Sequence, residues 1–242
     1  DGAFLIDDQY APLHDKILQQ VRLLTPRAVR LVVNTHWHGD HTGGNESMGA
    51  TGAVLVAHDN VRKRMSVEQF SKIWDRKTPP SPVGALPMVT FADAVTFHVN
   101  GETVRVEHAA PAHTDGDSVV WFEKANAVHL GDLFFNGQYP YIDLDAGGAL
   151  DGVIAGAEAV LARVDDSTRI IPGHGDLATK KDLAVYRDVL VGVRAAVQKL
   201  IDTGKSEDEA VAAKPTAPWD ATWGKGFIQP EVMVRIAYRS RS

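Results

Sequence analysis

Leu31-Val32-Val33-Asn34-Thr35-His36-Trp37-His38-Gly39-Asp40-His41-Thr42-Gly43-Gly44-Asn45 decides how this chain is read. The apolar, β-branched run Leu31 to Val33 reads as a buried strand that ends at Asn34-Thr35. His36, His38, Asp40 and His41 follow it directly. Alternate residues of an extended segment point the same way, so His36 and His38 can share one ion. Gly39 lets the backbone turn and aims Asp40 and His41 at a second ion. Neutral imidazole and carboxylate suit zinc or a similar borderline metal better than calcium or magnesium.

Outward from this loop, strands and helices alternate. Phe4–Ile6 reads as a strand, and a helix follows with Pro12 in its first turn and Leu13, Ile17, Leu18, Val21 and Leu24 at helical spacing. Ala53–Ala57 is a further buried strand. A helix is expected from about Asp59 to Trp74, with His58 or Asp59 at its cap. The proline-rich stretch 77–88 cannot hold regular structure for long, and reads equally as a surface connection or as a flap over a site.

The period then becomes twofold. Val95–Val99, Asn100-Gly101 and Glu102–Val106 spell a hairpin, because Asn-Gly favours a type I′ turn. Ser118–Glu123 and Ala127–Leu130 read as a second strand pair. Helices are expected at about 149–164 and 180–203, the latter closed by Gly204, with a short strand Arg169–Ile171 between them. This alternation is that of a layered α/β protein.

The chain has 242 residues, is 44% hydrophobic and carries a net charge of −6. That supports a sizeable core, and a single domain over 1–242 is expected. No apolar run approaches a membrane span, so membrane insertion is not expected. The one basic cluster, Arg62-Lys63-Arg64, reads as a solvated helix face, so no nucleic-acid partner is expected. With no cysteine, any metal must be held by nitrogen and oxygen. The chain opens almost at once in a strand, without methionine or signal segment, and reads as trimmed. A periplasmic or secreted location would follow if a signal peptide had been removed. Oligomeric state is not legible.

Three further candidate ligands stand at strand ends, where α/β proteins assemble sites: His113 in Pro-Ala-His-Thr-Asp-Gly-Asp, Asp132 after Gly131, and His174 after Gly173. With these, Thr35-His36-Trp37-His38-Gly39-Asp40-His41 resembles the H-x-H-x-D-H signature of the metallo-β-lactamase superfamily, and His113, Asp132 and His174 match its later motifs in order. The resemblance implies a four-layer αββα sandwich and a dinuclear site. It places His36, His38 and His113 on the first ion, Asp40, His41 and His174 on the second, and Asp132 between them.

The expected cofactors are two zinc ions, with manganese or iron not excluded. The expected chemistry is attack by a metal-bridging hydroxide on an ester, thioester, lactone or amide, with Asp40 orienting the nucleophile. A bridging Asp resembles the thioesterases, lactonases and phosphodiesterases of the superfamily more than its dedicated β-lactamases. No lysine occurs between Asp132 and Lys180 to hold a drug carboxylate, so β-lactam hydrolysis is allowed but not required. A phosphodiesterase on the same site is the alternative, and a non-catalytic binding protein a more distant one.

Asn136 is the candidate oxyanion donor. Phe134, Phe135, Tyr139 and Tyr141 either line a substrate pocket or pack within their loop. Asp115, Asp117 or Ser118 could hold a ligand imidazole, although Asp115 reads better as part of a turn. His14, His58, His98, His108 and His129 are not expected to be ligands. Trp219, Trp223 and Phe227 are expected to cover core or a terminal helix.

Overall fold

A computed structural model describes residues 1–240, which fall into two compact units: residues 1–109 with 116–125, and residues 110–115 with 126–240. Within the first unit, strand β1 (Ala3–Ile6) is followed by helix α1 (His14–Leu24) and strand β2 (Val29–Val33). The short helices α2 (Gly39–Thr42) and α3 (Asn45–Ala50) lead to strand β3 (Val54–His58) and helix α4 (Asp59–Met65). Strands β4 (Gln69–Ser71) and β5 (Arg76–Thr78) pair antiparallel, and strand β6 (Val89–Phe91) runs parallel to β3. Strands β7 (Ala94–Val99), β8 (Glu102–His108) and β9 (Ser118–Phe122) form antiparallel ladders.

The first sheet, ordered β1-β2-β3-β6, is parallel throughout. Parallel strands are covered on both faces, which is why Leu31-Val32-Val33 is unbroken apolar sequence. Val32 packs with Val29, Met48 and Leu55 beneath Ile17, Leu18 and Val21 of α1. Val33, pointing the other way, packs with Val56 and Phe91 against Val104, Val106 and Val120 of β8 and β9. Phe4 meets Phe97 edge to face at 5.3 Å within that layer. The first unit therefore stacks helix, sheet and sheet.

The second unit pairs strand β10 (Ala127–His129) with strand β11 (Arg169–Ile171) in parallel, joined through helix α5 (Leu150–Leu161). Helix α6 (Lys180–Asp202) buries Leu183, Tyr186, Leu190, Val193 and Val197, as its spacing foretold, whereas Leu200 is only half-buried. Helices α7 (Glu207–Ala212), α8 (Ala217–Trp223) and α9 (Pro230–Arg239) close the described chain. Trp223 is buried and Trp219 packs on Gly192, but Phe227 is exposed.

The Asn-Gly hairpin forms as read, with φ +54° at Asn100 and +74° at Gly101, the signature of a type I′ turn. The helix expected from Asp59 to Trp74 does not run that far. It starts on His58, which caps Asn60 N, and stops at Met65. Ser66 Oγ donates to the Arg62 carbonyl and Gln69 Nε2 to the Arg64 carbonyl, which satisfies the helix end. Val67, Phe70 and Trp74, which fall within the expected helix, are exposed around the β4–β5 hairpin.

Candidate metal centre

In the first unit, β2 ends at Val33 and the ligand loop leaves it through bends rather than in extended conformation. Even so, His36 Nε2 and His38 Nδ1 converge to 3.1 Å. His38 remains extended at φ −65°, ψ 152° and precedes α2, so Gly39 opens a helical turn instead of a left-handed one. That turn carries Asp40 and His41, with His41 Nε2 3.4 Å from Asp40 Oδ2.

In the second unit, β10 and β11 end beside one another and deliver Gly131-Asp132 and Gly173-His174. Asp132 Oδ2 stands 3.5 Å from His113 Nε2 and 3.3 Å from His174 Nε2. Gly173 is required here: a Cβ on it would lie 2.1 Å from Asp132 Oδ1 and 2.7 Å from the Gly131 carbonyl. Tyr186, wholly buried, has its phenol pushed well up by burial and, after that, by the Asp132 charge.

These separations fit a metal. Ligands at zinc distances on a tetrahedron lie about 3.3 Å apart, edge to edge. The donor set of imidazole and carboxylate without thiolate suits the same ion. The other ring nitrogens are oriented by protein groups. Thr35 Oγ1 is 3.1 Å from His36 Nδ1, Asp7 Oδ2 is 2.8 Å from His41 Nδ1, and the Tyr141 carbonyl is 2.7 Å from His113 Nδ1. Metal-bound histidines need such partners to fix their tautomer.

Asp7 was not singled out by sequence, and neither was the Tyr141 carbonyl that stands at His113 Nδ1. Asp7 also accepts from Thr35 N at 2.7 Å and from Thr35 Oγ1 at 2.8 Å, tying both flanks of the loop to one carboxylate. Its neighbour Asp8 is fully buried and accepts from Gly44 N at 2.9 Å. Burial pushes the Asp8 carboxyl up to about 7, with the Asp7 charge adding to the rise and the Gly44 bond opposing it. Asn34 and Asn45 exchange amide hydrogen bonds of 3.1 and 2.9 Å and close the loop from beneath.

Asn136 is half-buried, and its Nδ2 donates to the Asp176 carbonyl at 3.0 Å. Phe134, Phe135 and Tyr139 are buried, so they pack rather than line open space. Phe135 stacks on His174 with ring centroids 4.8 Å apart, and Tyr141 meets His113 edge to face at 5.8 Å. Of the histidines set aside by sequence, three have structural partners: His58 stacks on His108 at 3.7 Å and bonds the Ala92 carbonyl, and His129 accepts from Gly131 N. Of the proline-rich stretch, Pro79, Ser81 and Pro82 line a cavity of about 250 Å³ together with Trp37, Gly43 and Arg64. No helix among the described residues is long and apolar enough to cross a membrane.

The family model described as the metallo-β-lactamase superfamily matches residues 10–174, a span that contains all seven expected ligands. A hydroxyacylglutathione hydrolase of a Polaromonas species is 28% identical over 84% of this chain and 68% of its own length. An atrochrysone carboxyl ACP thioesterase of Aspergillus terreus is 34% identical over 42% of this chain, which spans only 25% of that relative. A metallo-β-lactamase from Pontibacter korlensis shares the fold at TM-score 0.64 and 22% identity, covering 78% of this chain and 82% of its own. The α/β class and the αββα architecture implied by the sequence are those of this fold.

Proposed function

This chain belongs to the metallo-β-lactamase superfamily of hydrolases, and we propose that it is a dinuclear zinc thioesterase. His36, His38 and His113 would hold the first ion and Asp40, His41 and His174 the second, with the Asp132 carboxylate shared between them. The observation that carries this reading is the position of Asp132: one carboxylate oxygen stands within 3.5 Å of both His113 and His174, the two imidazoles assigned to different ions. Thioester is favoured among carbonyl substrates because the relatives named above are a hydroxyacylglutathione hydrolase and an acyl-carrier thioesterase.

A zinc pair would supply water of lowered pKa and a Lewis acid for the scissile carbonyl. The residues do the rest. Thr35, Asp7 and the Tyr141 carbonyl hold three imidazoles in the tautomer that presents Nε2 outward. Asp40 accepts a hydrogen bond from the attacking water and orients it. Asn136, anchored on the Asp176 carbonyl, directs its remaining amide hydrogen at the developing oxyanion. The rings of Phe135 and Tyr141 pack against the His174 and His113 imidazoles and limit their rotation.

A turnover panel on the zinc-loaded protein tests the reading: a glutathione thioester, a lactone, a phosphodiester and a chromogenic β-lactam. The thioester is expected to give the highest kcat/KM. Turnover of the phosphodiester alone, or of none of the four, would contradict it.

A further inference from the structure

The segment Asp7–Tyr10 is shaped by an unusual backbone. Asp7 and Gln9 both adopt left-handed conformations, at φ +56° and +59°, which non-glycine residues seldom hold without compensation. The compensation is a set of bonds to the ligand loop: Asp7 N donates to the Val33 carbonyl, Asp8 N to the His41 carbonyl, and Gly44 N to the Gln9 carbonyl. The consequence falls on Tyr10. Its Cα lies 2.9 Å from where a Cβ on Gly43 would sit, and its ring edge 3.7 Å from the corresponding point on Gly39. The ring thus lies along the turn that bears Asp40 and His41.

Packing does not account for this placement, since Tyr10 is 55% exposed. Among the described residues its hydroxyl has no protein hydrogen-bond partner. An exposed aromatic on a backbone tied to the ligand loop, with an available donor at the edge of that loop, is what substrate positioning requires.

We propose that Tyr10 is a substrate-positioning residue whose hydroxyl donates a hydrogen bond to an oxygen of the substrate lying over the Gly39–His41 turn. It holds no metal and takes no part in proton transfer. The inference rests on the thioesterase reading for its substrate.

Zinc-loaded wild type, Tyr10→Phe and Tyr10→Ala are compared in two assays: hydrolysis of a glutathione thioester, and calorimetric titration with glutathione, the thiol product. Loss of one hydrogen bond is expected to raise KM about tenfold in Tyr10→Phe, with kcat within about twofold and bound zinc unchanged. Tyr10→Ala is expected to raise KM further, and both variants to weaken glutathione binding. KM and binding within about twofold of wild type in both variants would overturn the proposal. So would a Tyr10→Ala protein that loses zinc while its KM stays unchanged, which marks a purely structural role. A wild type without thioester turnover refutes the thioesterase reading instead. Tyr10 is then judged by calorimetry, and a wild type that binds no glutathione refutes it as well.

Discussion

Asp7 Oδ2 stands 2.8 Å from His41 Nδ1, across 34 residues of sequence. The same carboxylate accepts both the backbone N–H and the hydroxyl of Thr35, and that hydroxyl lies against His36. One half-buried carboxylate therefore sets the orientation of a ligand on each side of the loop.

Replacing Asp7 with Ala is expected to weaken zinc binding about 10- to 100-fold, the usual cost of losing a group that orients a metal ligand. Asp7→Asn keeps one acceptor without the charge and should fall between. Competition with a chromogenic chelator measures both, and unchanged affinity in Asp7→Ala would refute the role.

Gly173→Ala places a methyl where Asp132 Oδ1 now sits. The carboxylate has to move, so kcat/KM should drop more than tenfold even though no ligand is removed. Overpacking also costs about 1–3 kcal/mol, visible as a lower Tm. Wild-type kinetics in this variant would show that Asp132 tolerates displacement.

Asn34 and Asn45 satisfy each other's amides in a buried pocket. Asn45→Ala takes the donor from the buried Asn34 Oδ1, while Asn34 Nδ2 keeps the His41 carbonyl, and should cost about 1–3 kcal/mol in denaturant unfolding. A double variant replacing both residues should cost less than the sum of the single changes.

Glu207 is held below its ordinary range by its hydrogen bond to Arg239, and further by Arg235, so these charges tie α7 to α9. A carboxylate with a depressed folded-state pKa contributes stability above its unfolded pKa, about 4.3, and loses it as pH falls through the folded value. Glu207→Gln should therefore lower Tm at pH 7, with the gap to wild type closing below about pH 4. A gap that does not narrow as pH falls below about 4 would show that packing, not charge, is what the substitution removes.

The legible parts of this molecule are those with local chemical signatures. His36, His38, Asp40 and His41 announce themselves through their density after a strand, and Asn100-Gly101 through the one turn type it favours. What escaped reading depends on contacts distant in sequence. Asp7 looks like an ordinary strand-end acid until a left-handed turn brings it to His41. Val67, Phe70 and Trp74 carry helical spacing, but Gln69 caps the helix early and leaves them around a hairpin. Beyond Gly204, α7 opens on a capping box between Ser206 and Glu209 that was readable as a helix start. The interrupted apolar pattern there hid three short helices.

The most direct measurement is thioester turnover followed through removal and return of zinc on the intact chain. Chelation should abolish turnover, and titration with zinc should restore it in step with uptake of two ions per chain. Turnover that survives complete chelation, or full recovery with no zinc retained, would contradict the account.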